Sequence, residues 1–357
     1  MYLLALEWLE CQSKGAEVTM DISSRKQLIL TKIVALHTNS GDPVGSHLLQ
    51  EYLDNITVST ATLRNEMAQL TAMGFLQQPH TSAGRIPTEM GYRYFLNNLM
   101  RTTAPSTREK KGIQAEISSM DSDPDKAAEA AASSLARLSG LGAITTTPVG
   151  TESQMSYYEL VKIGRYNTAV LGVTNLGAIK SSVCRAQDEL SSEELATVQA
   201  AINSGLRFVS AADVSSDTIQ NILSAAPTDH PDAARAVIET AVEILKSSGD
   251  VRIFKAGQRN LLRYWEISDK VEQVVRLFEE NDGLAKLLSK DGDIDCYVGT
   301  ELGESFDSLS MVIGRYRVAG GGHGGLAIVG PVRMDYTKII PGLRTFCSLM
   351  SEKLVDR

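Results

Sequence analysis

Ser59-Thr60-Ala61-Thr62-Leu63-Arg64-Asn65-Glu66-Met67-Ala68-Gln69-Leu70-Thr71-Ala72-Met73-Gly74 is the stretch that decides how the N-terminal part of the chain folds. Ser59 offers a hydroxyl to the unpaired N–H groups of a first helical turn, and Gly74 suits the left-handed turn that ends helices. A helix is therefore predicted over 60–73. At about 100° per residue, Leu63, Met67 and Leu70 fall on one side, the stripe a core requires. The opposite side carries Ala61, Asn65, Ala68 and Ala72, flanked by Thr62, Arg64 and Gln69. A merely solvated face would carry Lys and Glu. This one carries small residues, which permit close approach, and side chains able to read base edges. Arg can bridge guanine O6 and N7, Asn can bridge adenine N6 and N7, and Ala or Thr can touch a thymine methyl. Packing of the small-residue face on another domain is the competing reading.

Downstream, residues 74–78 read as a strand, 79–84 as a polar turn and 85–87 as the returning strand, after which Thr88 caps a helix through Tyr92, Tyr94, Phe95 and Leu96. The turn residues His80, Thr81 and Ser82 form a mobile polar tip with Arg85 at its base, a set suited to phosphate contact or minor-groove entry. Upstream, Ser23 or Ser24 caps a helix with Leu28, Ile29, Ile33, Val34 and Leu36 inside, ending by Gly41. Asp42-Pro43-Val44-Gly45 breaks the chain. Ser46 then caps a short helix holding Leu48, Leu49, Tyr52 and Leu53, followed by a break at Asp54-Asn55. Three helices, a two-stranded wing and a further helix make a winged helix-turn-helix over 20–104. Its candidate DNA contacts are Ser59, Thr60, Ala61, Thr62, Arg64, Asn65, Ala68, His80, Thr81, Ser82 and Arg85.

Charge agrees locally but not globally. The chain carries a net −8 over 357 residues, whereas residues 20–111 hold ten Lys or Arg against seven Asp or Glu. That stretch is thus at +3 and the remainder at −11, which permits DNA binding without demonstrating it. The composition, 43% hydrophobic and 22% charged, is that of a soluble globular protein of two or three domains. No apolar run approaches the roughly 20 residues needed to span a bilayer. The apolar start is interrupted by Glu7 and Glu10, so neither signal peptide nor membrane partner is expected. Cys11, Cys184, Cys296 and Cys347 are scattered without metal-ligand spacing, and a reducing, cytoplasmic compartment fits. Residues 1–19 read as an extension of doubtful order, with Met20 an alternative start.

Beyond a linker rich in Thr, Ser, Lys and Pro that merges into a helix (101–122), an Ala-rich helix is predicted over 125–138 with Gly140 as its stop. Residues 157–163 and 168–174 alternate as strands, with a third after Gly177. Helices are predicted over 191–206, 216–223, 231–247 and 271–288, strands over 294–298, 308–316 and 326–329, and a last helix over 339–354. The second portion is α+β with an antiparallel sheet.

The motifs now become specific. Pro43-Val44-Gly45-Ser46, the stretch 59–67, Gln78-Pro79-His80-Thr81-Ser82-Ala83-Gly84-Arg85-Ile86-Pro87-Thr88 and Gly91-Tyr92-Arg93 together resemble the heat-inducible transcription repressor family HrcA. Gly330-Pro331-Val332-Arg333-Met334-Asp335-Tyr336 is similar to the family's C-terminal signature, and Asn260-Leu261-Leu262 and Val298-Gly299-Thr300-Glu301 sit where weaker motifs belong. The sequence departs in Thr60, Leu63 and Val332, where Ser, Ile and Thr are usual. The resemblance implies an α+β multidomain chain: the winged helix at 20–104, a GAF-like α/β domain at 105–185 and 258–357, and an inserted dimerisation segment at 186–257. It also implies a double-stranded DNA target, an inverted-repeat operator upstream of chaperone operons, and the chaperonin GroEL as the partner that keeps the repressor active. A homodimer fits that operator, one winged helix to each half-site.

Three other readings are weighed. Gly320-Gly321-Gly322-His323-Gly324-Gly325 precedes an apolar strand instead of opening a helix, so it reads as a hairpin and not a phosphate loop. His323 has no Cys or carboxylate cluster beside it, and no nucleophile, base and oxyanion-donor set is present, so no metal, cofactor or catalysis is expected. Arg333 and Asp335 read as a structural pair. The serious alternative is a winged-helix regulator controlled by a small-molecule ligand in its GAF-like domain, which would need an apolar pocket with convergent polar groups.

Overall fold

Capping and burial shape the first unit. In the computed structural model, which describes residues 22–53, 58–149 and 154–355, Ser23 Oγ accepts from Lys26 N and starts α1 (Ser24–Ser40). Gly41, at φ 77°, ends it by donating its N–H to His37 O. The expected extension 1–19 and the break at Asp54-Asn55 lie outside the described residues. Helix α2 (Ser46–Glu51) has Gly45, not Ser46, at its N-cap. Six residues bury one face only: Leu49 and Leu53 go inside, while Leu48 and Tyr52, four apart on another face, stay 41% and 49% exposed.

Helix α3 (Thr60–Ala72) follows, then β1 (Leu76–Gln77) and β2 (Ile86–Pro87), antiparallel with Leu76 opposite Pro87. Val44 exchanges both backbone hydrogen bonds with Arg85 at 2.9 Å, so the connection between α1 and α2 forms a third short rung. A Cβ on Gly84 would stand 2.3 Å from Val44 O, so only glycine allows this approach. Thr88 caps α4 (Glu89–Tyr94), which continues as a π turn through Leu99.

The larger body is mixed α+β. Helix α5 (Thr107–Ser119), nucleated inside the predicted linker by a Ser106/Glu109 capping box, precedes α6 (Pro124–Ser139), which ends at Gly140 with φ 67°. Strand β3 (Gly142–Thr146) was not expected. After it come β4 (Met155–Lys162), β5 (Asn167–Thr174) and β6 (Ile179–Arg185), then α7 (Ser192–Leu206), α8 (Ser216–Ser224) and α9 (Pro231–Ser247). The chain returns through β7 (Ile253–Ala256), also unexpected, to the short α10 (Gln258–Leu261) and α11 (Trp265–Ser268). The helix predicted over 271–288 is two, α12 (Val271–Glu279) and α13 (Asp282–Leu288). Strands β8 (Ile294–Val298), β9 (Leu309–Arg317) and β10 (His323–Pro331) and helix α14 (Tyr336–Val355) complete it. The glycine run forms the β9–β10 hairpin.

Two sheets result. One is five-stranded and antiparallel in the order β7-β3-β10-β9-β8; the other contains β4-β5-β6. Each belongs to its own hydrophobic core, and this revises the expected boundaries. Tyr158, Leu160, Val170 and Cys184 from β4–β6 are buried with Val198, Ile202, Val237 and Ile238 from α7 and α9. Strands 155–185 therefore belong with the helices after them and not with the flanking domain, while β7, placed within 186–257, pairs with β3. The segment leaves and re-enters across one rung: Thr146 faces Ile253, Thr147 N donates to Arg252 O at 2.9 Å, and Arg252 N donates to Thr147 Oγ1 at 3.0 Å. Asp125 on α6 accepts from Lys180 (2.5 Å) and Arg252 (2.6 Å), holding the segment against the body.

The first core runs without interruption from α1–α4 into the five-stranded body. Arg93 on α4 donates to Glu301 through both Nε (2.8 Å) and Nη2, and to Cys296 O at 2.7 Å, while Glu89 accepts from Thr300 Oγ1 at 2.5 Å. Arg333 pairs with Glu266, donates to Thr38 O at 3.1 Å and lies over the Tyr264 ring. Asp335 binds Lys338 and Thr337 instead, so the predicted Arg333–Asp335 pair does not form. His37 Nδ1 is 2.8 Å from Tyr92 Oη, whose ring packs beside Tyr336. Burial, together with the nearby Arg333 charge, pulls the His37 imidazole down to about 4.

Candidate nucleic-acid interface

Helix α3 presents its outer face because Leu63, Met67 and Leu70 are taken up by the core. Ser59 Oγ accepts from Thr62 N at 3.2 Å and lies 3.0 Å from Thr62 Oγ1, fixing the first turn. Ala61, Arg64, Asn65, Ala68, Gln69 and Ala72 are exposed, and Thr60 and Thr62 are half-buried at the edge. The sequence-derived face is therefore brought together on one side. Arg64 Nε donates to Ser46 Oγ at 3.2 Å, which anchors the base of an otherwise exposed guanidinium. Glu66, the one carboxylate on α3, is turned toward Lys26 (3.0 Å) and Arg25 (3.6 Å). The outer face thus carries no unpaired negative charge to repel a phosphate.

The β1–β2 turn differs from expectation. His80, Thr81 and Ser82 are exposed at its tip, but Gln78 Nε2 donates to Thr81 O (2.9 Å) and Ala83 O (3.0 Å), and Ala83 N donates to His80 O. The tip is braced from within. Arg85 is half-buried: its Nε donates to Thr71 Oγ1 at 3.0 Å, near the C-terminal end of α3. It ties the hairpin to the helix instead of standing free at the base of the tip. Sequence reasoning missed Ser46, Gln78 and Thr71 as supports, since their partners lie in other elements or on backbone atoms. Among the described residues, no group of three or more His, Cys, Asp or Glu could hold a metal ion, and no helix is long and apolar enough to cross a membrane.

Comparison with known proteins fits this arrangement. A family model described as the HrcA protein C terminal domain matches residues 125–340. The chain belongs to the HrcA family. A heat-inducible transcription repressor HrcA of Desulforudis audaxviator is 30% identical over 330 residues, 90% of this chain and 94% of that protein. One from Clostridium perfringens is 29% identical over 94% of this chain and all of its own length. A crystal structure described only as that of a hypothetical protein covers 94% of this chain and 99% of its own at TM-score 0.68 and 22% identity, a likeness of fold. The family model begins at residue 125, beyond α3 and the hairpin, so the geometry of that N-terminal unit is a separate line of observation.

Proposed function

We propose that this HrcA-family chain is a heat-inducible transcription repressor that reads an inverted-repeat operator as a homodimer. Residues 22–99 act as a winged helix-turn-helix, with α3 in the major groove and the β1–β2 turn as the wing over the adjacent backbone. The observation that carries the reading is the outer face of α3, where Ala61, Arg64, Asn65 and Ala68 stand exposed without an unpaired carboxylate. Arg64 and Asn65 read base edges, the alanines let the helix sit deep, and Ser59, Thr60, Thr62, His80, Thr81 and Ser82 supply phosphate contacts. Arg85 holds the wing to the helix.

The three-stranded sheet supports the dimer. From Tyr157 onward its odd-numbered residues form the outer face in three cross-strand rows, Val161–Ala169–Val183, Glu159–Leu171–Ser181 and Tyr157–Val173–Ile179, with Gln199 of α7 hydrogen-bonding Tyr157 and Glu159. Ile179 is 53% and Val183 60% exposed. A sheet face with two apolar rows either side of one mixed row suits protein association, and a second copy of the same face satisfies twofold symmetry. The five-stranded body is read as the GAF-like domain, on the strength of its antiparallel sheet with α6 and α14 packed on it.

The chaperonin GroEL is proposed to raise the DNA-competent fraction. The body's sheet pairs Thr145 with Leu326 and Thr145 with Phe254, partners distant in sequence, so slow, aggregation-exposed folding is expected. Apparent affinity falls in proportion to the competent fraction. The deciding experiment is a footprint of the purified protein on its own upstream DNA, with and without chaperonin. Protection of two symmetric half-sites is expected, with chaperonin increasing the active fraction at constant intrinsic affinity. No protection under either condition would overturn the repressor reading, and a constant active fraction would remove the chaperonin.

A further inference from the structure

A cavity of about 1140 Å³ lies where the N-terminal unit meets the body, slightly larger than ordinary small-molecule sites. Its walls come from the end of α1, the 103–106 linker, α5, the end of α6 and the start of α14. Buried core side chains, Leu135, Leu141, Ile328, Met334, Leu343 and Phe346, lie beneath it, and Leu138 stands 43% exposed in its wall. Two helix-interior glycines line it, Gly112 in α5 and Gly342 in α14, and a Cβ built on either meets nothing within 4 Å. Glycine weakens a helix, and helix-interior glycine ordinarily has a packing reason. Gly91 and Gly205 have one, with Phe75 O at 2.1 Å and Ile222 at 2.6 Å from the added Cβ. Gly112 and Gly342 face only the open volume, and Pro341 beside Gly342 removes an N–H from the same wall.

The charges at the mouth are nearly all used. Asp335 holds Lys338 at 2.9 Å, Glu109 caps its own helix at Ser106, and Arg333 is bound to Glu266 and Thr38 O. Arg108 is exposed and has no partner among the described residues. An apolar chamber with one uncommitted guanidinium at its mouth complements an apolar body carrying one negative charge, and a planar carboxylate is the group a guanidinium fork binds in bidentate fashion. We propose that this cavity is a binding site for a fatty-acid-like monocarboxylate, its chain lying along Gly112 and Gly342 and its carboxylate on Arg108. Thr38, Asn39 and the 103–106 linker form part of the wall, so the bound molecule touches both the N-terminal unit and the body.

The test uses the full-length protein, freed of lipid and without DNA, so that its outcome is independent of operator recognition. Dodecanoate is titrated below its aggregation threshold by calorimetry, with dodecanol and dodecylamine as controls. One saturable site per chain is expected, with dodecanoate at least tenfold tighter than the amine. Arg108→Glu is expected to weaken dodecanoate at least tenfold and to erase that preference. Gly112→Leu and Gly342→Leu, which extend side chains into the open volume, are each expected to weaken binding tenfold or more while melting no lower than wild type. Absence of saturable binding, or binding unchanged in the folded Gly112→Leu/Gly342→Leu double variant, would overturn the site. Binding unchanged in Arg108→Glu would overturn the carboxylate anchor.

Discussion

The outer face of α3 and the outer face of the β4–β6 sheet are alike in construction and opposite in chemistry. Each is the reverse side of a fully used core stripe: Leu63, Met67 and Leu70 beneath the helix, Tyr158, Leu160, Val170 and Cys184 beneath the sheet. The helix turns outward small, hydroxyl, amide and guanidinium groups, while the sheet turns outward chiefly Val161, Ala169, Leu171, Val173, Ile179 and Val183, with Glu159 and Ser181 between them. Covering the sheet removes apolar surface from water at about 25 cal/mol per Å². Covering the α3 face gains little that way and needs a partner offering directed acceptors. The two faces therefore call for partners of different chemistry, and the proposed function assigns a second copy to one and a polyanion to the other.

The largest effect should come from breaking the apolar face. Ile179→Glu combined with Val183→Glu is expected to give a monomer in sedimentation and to lower affinity for a full inverted repeat by about 10²–10⁴, the loss of effective concentration between linked readers. Half-site affinity should not change; a persisting dimer would refute the assignment of that face. Next is the joint that carries one face relative to the other. His37 titrates near 6.5 when unfolded and at about 4 when folded, so the unfolded state takes up the proton first. Its contribution is complete above pH 6.5 and is lost as pH falls through that window to about 4, on the order of 3 kcal/mol in all. His37→Gln should flatten the decline of melting temperature across those pH values; an equally steep decline would assign it to other groups.

On the polar face, Arg64→Ala and Asn65→Ala should each weaken operator binding by about 1–3 kcal/mol with far less change on random DNA. Equal losses on both DNAs would make these residues phosphate contacts and blur the contrast between reading and positioning. The smallest effect is expected from Arg85→Ala, because its Nε is already bound to Thr71. The slope of log affinity against log salt should fall by no more than about one unit. A drop of two or more would make the hairpin the principal electrostatic contact.

What was legible in the sequence follows from how local each signal is. The caps at Ser59 and Thr88, the stop at Gly74 and the outer face of α3 all depend on residues within one helix, and the structure repeats them. The alternation of β4–β6 was equally readable, but not which helices cover those strands, so their place in the chain's organisation was misassigned. Strand β3 escaped because all five of its residues are buried and give no alternation, and β7 because it is four residues long. The break between α12 and α13 falls at Glu280-Asn281, where one long apolar periodicity hides the Asn281-Asp282-Gly283 turn signal. Arg333 found Glu266, 67 positions away, instead of its near neighbour Asp335. The supports of Arg64 and Arg85 were hidden for the same reason: Ser46 and Thr71 become neighbours only after folding.

The single rung at which Thr146 faces Ile253 has a consequence for how such a chain can be built. Everything between those two residues departs from and returns to adjacent positions on one sheet. A tight two-residue turn is the ordinary way to join neighbouring antiparallel strands. Excising the segment and closing β3 onto β7 with such a turn would leave the rungs of the five-stranded sheet in place.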